Sequence, residues 1–260
     1  MSREQASSTK EEIGVGKPIS LFDVDGTLTD GFAIVSFAEY LNSNGEFSDA
    51  NLTAVLADFA AYKTSDKSSG VYHAFAEQIV DHYAEGLAGS EVMHIQDLAE
   101  GFFDKVVAGE IQHYTLFPFT NELLQIMNQF GPTIAISGSP IDALRPLKKH
   151  VGMADVYGTT FQNMGGVYTG EIDTNLAVGT AKKDQVGSLI GSGNFDLSRS
   201  FAFGDSMPDV PLLAAVKNPF VLGTNKELRE EGRLRGWNVV DDPSRVLEMV
   251  RAKVEQVFHK

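Results

Sequence analysis

Asp23-Val24-Asp25-Gly26-Thr27 places two carboxylates two residues apart. On an extended segment, residues i and i+2 point to the same side, so both acids can enter one site. Neighbouring carboxylates repel each other unless a cation neutralises one. Mg²⁺ fits that need, because it takes oxygen ligands and binds alongside phosphate groups. Mn²⁺ accepts the same carboxylate and carbonyl donors. Asp25 is then free to exchange a proton, and Gly26 lets the backbone approach a phosphate closely.

Three further segments carry compatible chemistry. Ser137-Gly138-Ser139 offers a hydroxyl and backbone N–H groups at the start of a helical pattern, the makings of an anion site. Ser139 is expected to cap that helix, with Pro140 in its first turn. Gly204-Asp205-Ser206-Met207-Pro208-Asp209 brings two more acids. Asp205 at a strand end can complete a metal site. Asp209 suits a helix N-terminus, where the dipole favours negative charge, and serves equally well as a site residue. Lys182 and Lys183 open a helix, where cations are disfavoured. A lysine held there points to an anionic partner, and Lys182 is the better placed of the two.

The elements that must position these residues are legible as hydrophobic patterns. Residues 18–22 (PISLF), 132–136 (PTIAI) and 200–203 (SFAF) are short apolar runs, each leading into one of the polar segments. They read as buried strands. Residues 155–157, 220–222 and 237–240 are further strand candidates. Helical periodicity covers 121–130, 141–150, 181–190, 209–215, 226–235 and 243–258. Strands alternating with helices predict an α/β fold, a doubly wound parallel sheet whose ligands bind at the carboxyl ends of the strands. Residues 161–174 contain Gly165-Gly166 between β-prone flanks and predict a hairpin.

Residues 32–115 differ. Apolar residues recur at helical spacing, as in Leu52, Val55, Leu56 and Phe59, and four helices are expected, the first over 33–41. The expected organisation is a flexible tail (1–16), a core built from 17–31 and 116–260, and an all-helical insertion (32–115). Phe32, Phe37, Tyr40 and Tyr72 are candidates to line a pocket in that insertion, although core packing is their default role.

Composition narrows the function classes. The 260 residues carry a net charge of −14, which repels nucleic acid and anionic membrane surfaces. There is no cysteine, so disulfides, thiolate metal sites and cysteine nucleophiles are excluded. No apolar run approaches the ~20 residues of a membrane span, and the N-terminal segment lacks a signal-peptide pattern. A cytoplasmic protein is expected. Its partner would be a small-molecule phosphate ester, and its oligomeric state stays open.

Taken in order, DVDGT at Asp23, ISGS at Ser137, the lysine at Lys182 and GDSMPD at Asp205 resemble the four motifs of the haloacid dehalogenase superfamily of phosphatases. The helical insertion and the hairpin VYTGEID are similar to its phosphoserine-phosphatase-like branch, which has a small helical cap. The resemblance implies a Rossmann-like core and a phosphatase that passes through an aspartyl-phosphate. It implies that Asp23 attacks phosphorus, and that Asp25 protonates the leaving oxygen and then activates water. Asp23, the Asp25 main-chain carbonyl and Asp205 would bind Mg²⁺. Ser137, Gly138 and Lys182 would hold the phosphoryl oxygens. Gly26 and Thr27 would shape the phosphate-binding loop, with Asp209 and Ser206 in support. Phosphoserine phosphatase proper, a phosphotransferase or phosphomutase, and a catalytically silent binding module are the alternatives.

The resemblance weakens where a substrate would sit. That branch has a glutamate after the first motif, and Phe32 stands there in this chain. It also has an arginine in the cap, whereas no arginine lies between Asp23 and Ile141. Residues 31–115 hold 13 acids against Lys63, Lys67 and Lys105, a net of −10. Such a lid favours a neutral or cationic leaving group, such as an amino alcohol or polyol, over phosphoserine.

Overall fold

Side chains alternate along the first core strand. Ile19 and Leu21 join one hydrophobic cluster, and Phe22 joins the other. All three are fully buried, as in a strand covered on both faces. A computed structural model describes residues 16–65 and 69–258. The tail expected over 1–16 falls almost wholly outside the described residues, as does Lys67.

The strands are β1 (Ser20–Phe22), β2 (Thr29–Asp30), β3 (Thr115–Leu116), β4 (Thr133–Pro140), β5 (Asp155–Met164), β6 (Val167–Thr174), β7 (Phe201–Gly204), β8 (Asn218–Val221) and β9 (Asn238–Val239). Seven form one sheet in the order β6-β5-β4-β1-β7-β8-β9, while β2 and β3 pair as a separate ribbon. Within the large sheet only β5 and β6 are antiparallel. β1 lies at its centre, with Leu21 opposite Ile134 and Ala202. This central position brings the carboxyl ends of β4, β1 and β7 side by side.

Between β2 and β3 run α1 (Ala33–Ser43), α2 (Asp49–Thr64), α3 (Ser69–Leu87) and α4 (Val92–Ala108). The remaining helices are α5 (Thr120–Asn128), α6 (Ile141–Leu144), α7 (Leu147–His150), α8 (Ala181–Ser192), α9 (Val210–Ala214), α10 (Lys226–Leu234) and α11 (Val246–Phe258). One apolar cluster joins Phe22, Phe203 and Phe220 to buried residues of α1, α3 and α4. The other joins Ile19, Leu21, Ile134 and Ile136 to Val186 and Leu189 of α8 and Leu212 of α9. Phe22 stacks on Phe203 with centroids 4.6 Å apart. Among the described residues, no helix is long and apolar enough to cross a membrane.

Several expectations need correction. The pattern over 141–150 is broken into α6 and α7, because Pro146 has no N–H to donate and disrupts the helix. Residues 209–215 become a 3₁₀ turn, Met207–Asp209, followed by the short α9. β4 does not end at Ile136 but continues through Ser137, Gly138 and Ser139. The Gly138 carbonyl is held there by Thr159 Oγ1 at 2.6 Å. Ser139 therefore does not cap α6, whose N-cap position is Pro140 and has no side-chain cap. The expected hairpin forms from β5 and β6, and its tip reaches the α3–α4 connection. Val92 N donates to Gly166 O at 2.9 Å, and Tyr168 N to Ser90 O at 3.0 Å. The β2–β3 ribbon was not anticipated, because two-residue strands fall below any detectable period.

Candidate active site

Lys182 sits in the first turn of α8 and is buried against two acids from distant parts of the chain. Its Nζ donates to Asp23 Oδ1 at 2.7 Å and to Asp209 Oδ1 at 2.5 Å. Burial alone would lower the proton affinity of the ammonium, but Asp209 and Asp23 outweigh it and hold the group above its ordinary value. Lys182 is therefore a fixed cation. Lys183, the next residue, is exposed. A helix of period 3.6 turns only one of two consecutive residues inward.

Asp23 lies just beyond β1. Its pKa is pushed up to about 7, chiefly by burial and then by Asp209, with Lys182 opposing. Asp209 is buried between Lys182 and the loop after β7. Its Oδ1 pairs with Lys182, while its Oδ2 accepts from Asp205 N at 3.0 Å and Ser206 N at 2.9 Å. Ser206 and Asp209 close a capping box around the 3₁₀ turn. The same carboxylate thus orders the loop and positions the lysine.

Asp205 lies beyond β7, beside both of these acids. Burial raises its pKa well above the ordinary carboxylate value, and Asp209 and Asp23 raise it further. Among the described residues, its carboxylate is met only by Thr27 Oγ1, at 3.3 Å. Oxygens of Asp23, Asp205 and Asp209 lie within 4.8 Å of one another. One ammonium cannot balance two buried carboxylates and a third half-buried one, and an incompletely satisfied buried charge is costly. This all-oxygen donor set fits a hard divalent cation such as Mg²⁺. Gly26 makes the cluster possible. It adopts a left-handed φ of 84°, and a Cβ there would collide with the Asp205 carboxylate.

Asp25 faces a different set of partners. Its Oδ2 accepts from Ser139 Oγ at 2.5 Å and from Ala33 N at 3.1 Å, and its Oδ1 from Thr29 Oγ1 at 3.3 Å. Burial raises its pKa, and these donors oppose the rise. The bond to Ala33 N satisfies the first turn of α1, where Phe32 supplies no side-chain cap. Asp25 therefore ties the polar loop to the helical segment.

Ser137, Gly138, Asp23, Asp25, Lys182 and Asp205 line one cleft of about 890 Å³, and Ser206 borders it as well. Among the predicted phosphate-binding residues, Gly26 and Thr27 do not line it. They act on Asp205 instead, through close approach and a hydroxyl contact. Phe32 and Tyr72 line the cleft. Phe37 and Tyr40 pack on Phe102, with centroids 5.2 Å and 5.5 Å away.

Sequence reasoning missed several neighbours. Ser139 and Thr29 bind Asp25. Tyr114 lies against it, its buried hydroxyl off the line of a regular hydrogen bond. Tyr72, a pocket candidate from the sequence whose contact with the carboxylates was not among its expected roles, reaches the cluster from α3. Burial pushes its phenol up, and Asp23, Asp209 and Asp205 add to the shift against Lys182. Its hydroxyl thus stays protonated, as a potential donor. Tyrosines on a helical stripe carry no sequence signal that separates packing from site contact.

Two acids after β1, the Ser137-Gly138 end of β4, a buried lysine and a third acid after β7, in that chain order, agree with a family comparison. The family model for haloacid dehalogenase-like hydrolases matches residues 20–214. The chain belongs to that family. This hydrolase is 26% identical to phosphoserine phosphatase SerB1 of Mycobacterium tuberculosis over 223 residues, 85% of this chain and 70% of the relative. It is 22% identical to a histidinol-phosphatase of Neisseria meningitidis over 231 residues, 86% of this chain and 99% of the relative. A solved Bordetella pertussis protein of unknown function has the same fold, with a TM-score of 0.70 at 22% identity, covering 87% of this chain and 99% of that one. A substrate-bound phosphoserine phosphatase has a TM-score of 0.63 at 14% identity, covering 93% of this chain and 100% of that one.

Proposed function

We propose that this hydrolase is a Mg²⁺-dependent phosphomonoesterase that forms a transient aspartyl-phosphate on Asp23. The observation that carries the reading is the buried Asp23–Lys182–Asp209 arrangement beside Asp205, brought together from three separate segments, with Asp23, Lys182 and Asp205 lining one cleft. The names of its phosphatase relatives in Mycobacterium tuberculosis and Neisseria meningitidis agree with it.

Asp23, Asp205 and the Asp25 carbonyl would hold the ion, which when bound neutralises charge on the carboxylates and on the transferring phosphoryl group. Lys182 keeps one Asp23 oxygen fixed and leaves the other to attack phosphorus in line with the departing alcohol. A new Asp23–phosphorus bond forms as the ester P–O bond breaks. Asp25 gives its proton to the leaving oxygen, and its burial-raised pKa suits it to carry that proton. In the second half, Asp25 takes a proton from water, whose oxygen displaces the Asp23 carboxylate from phosphorus. Ser137 and the Gly138 amide, with Lys182, would hold the phosphoryl oxygens, the positioning and charge stabilisation on which phosphoryl transfer depends. Splitting the hydrolysis through a covalent intermediate replaces one difficult step by two easier ones.

Residues 32–115 are read as a helical cap over a core of 17–31 and 116–260. Aspartyl-phosphate chemistry benefits from such a cover, since closure controls the access of water. The test is turnover of p-nitrophenyl phosphate with Mg²⁺. Loss of turnover on chelation and in Asp23→Asn is expected. Undiminished turnover in Asp23→Asn would overturn the reading.

A further inference from the structure

The floor of the cleft is charged, but one of its walls is not. Apart from the floor groups, the described acids, lysines and histidine that line it are Asp30, Glu39, Lys63, His113, Lys226 and Glu227, and each is an exposed residue. No arginine lines the cleft among the described residues. The wall supplied by the entry to α1 and by α2 and α3 is apolar and aromatic, and includes Phe32, Leu56, Phe59, Tyr62 and Phe75. Phe75 stacks on Tyr62 at 4.4 Å, and Phe32 meets Phe59 edge-on at 5.3 Å. Phe32, Leu56, Phe59 and Tyr62 remain only half-buried.

This arrangement bears on the leaving group. A charged leaving group entering such a space would lose hydration without a buried partner to replace it. Apolar surface left wet beside a reaction centre gains from being covered. The acidity of residues 31–115 does not change this balance. Of the described acids in that segment, Glu39 alone lines the cleft, at an exposed position, and the rest face elsewhere. The charge-based expectation of a cationic leaving group therefore loses its support. A volume of about 890 Å³ also leaves ample room beyond a phosphate group.

We propose that the alcohol released by this hydrolase is apolar and sits against the Phe32–Leu56–Phe59–Tyr62–Phe75 wall. The proposal rests on the phosphomonoesterase reading and names the substrate class of that site. Phosphate is held at the charged floor, the ester oxygen lies near Asp25, and the hydrocarbon replaces water on the ring faces. Lys63, whose Nζ lies 5.4 Å from the Phe59 ring centroid, marks the solvent side of that wall.

The experiment is a series of n-alkyl monophosphates from ethyl to octyl, used below their micelle concentrations with Mg²⁺ present. The leaving oxygen is chemically alike throughout, so only burial of the chain varies. At about 0.8 kcal/mol per buried methylene, kcat/KM is expected to rise up to ~4-fold per CH₂ until the wall is covered. Phosphoserine and phosphocholine are expected to fall below butyl phosphate. Leu56→Ala and Phe59→Ala are expected to reduce the octyl-to-ethyl ratio several-fold. Turnover of ethyl phosphate with a flat series, or with phosphoserine or phosphocholine ahead of octyl phosphate, would overturn the inference while leaving the reaction intact. Absence of turnover with every ester, p-nitrophenyl phosphate included, would overturn the reaction and the inference together.

Discussion

Asp23 and Asp142 are both buried carboxylates whose proton affinity is raised by burial, yet their surroundings differ. Asp142 is satisfied. Its Oδ2 accepts from Tyr168 Oη at 2.6 Å, and its Oδ1 from Gln96 Nε2 at 3.3 Å, with Arg145 Nε 3.7 Å away. Those partners come from β6, α4 and the residue that follows α6, so Asp142 joins the hairpin, the helical segment and the core. Asp23 shares one lysine with Asp209 and has Asp205 beside it. A buried acid with donors at both oxygens and no carboxylate neighbour acts as a structural tie. A crowd of buried acids with one cation is an arrangement that only a further cation or a reaction intermediate completes.

The comparison is broken most directly by changing both acids to asparagine. Asp23→Asn is expected to lower kcat by roughly 10⁴-fold or more, as for loss of a nucleophile. Asp142→Asn is expected to leave kcat near that of the unaltered chain. Equal losses would abolish the distinction. Chelation comes next. Removing divalent ions is expected to abolish p-nitrophenyl phosphate turnover, with recovery on adding Mg²⁺, and the thermal transition of Asp142→Asn should respond to Mg²⁺ as the unaltered chain does. Lys182→Met is expected to cost ~10²–10³ in kcat, the usual loss for a charge-stabilising donor.

The smallest effects concern stability. Asp142→Asn turns an amide toward a donor and is expected to cost about 1–3 kcal/mol, read by denaturant unfolding. Its pH dependence has a definite sign. The folded pKa of Asp142 is raised above the ordinary 3.8, so the folded state binds the proton more tightly. That contribution is complete below the unfolded value and is lost as pH rises through the folded one. The stability gap between the unaltered chain and Asp142→Asn should therefore be widest near pH 4 and narrow toward neutrality. A gap that widens with pH would contradict this assignment.

Much of the core could be read from short-range patterns. Apolar runs ending at Phe22, Ile136 and Phe203 marked three strands, and Asp23, Ser137 and Asp205 followed them because strand ends are where a doubly wound sheet presents polar groups. The lysine at 182 was legible because a cation in a helix's first turn opposes the dipole. Ser139 reads locally as a cap because it precedes a proline, whereas a bond to Asp25, 114 residues away in sequence, occupies its hydroxyl. Pro146 carries the signal of the break between α6 and α7, within a stretch whose apolar spacing is helical throughout.

Residue type and local spacing determined which acids, serines and lysine follow core strands, which segments form those core strands, and that four helices lie between the first two strands of the large sheet. They did so because backbone sterics and hydrophobic alternation act over a few residues. Only tertiary structure decided that Thr27 and Gly26 serve Asp205, and that the acids of residues 31–115 mostly avoid the cleft that Phe59 and Tyr62 line. Burial and long-range packing set those outcomes, and neither leaves a periodic trace in the chain.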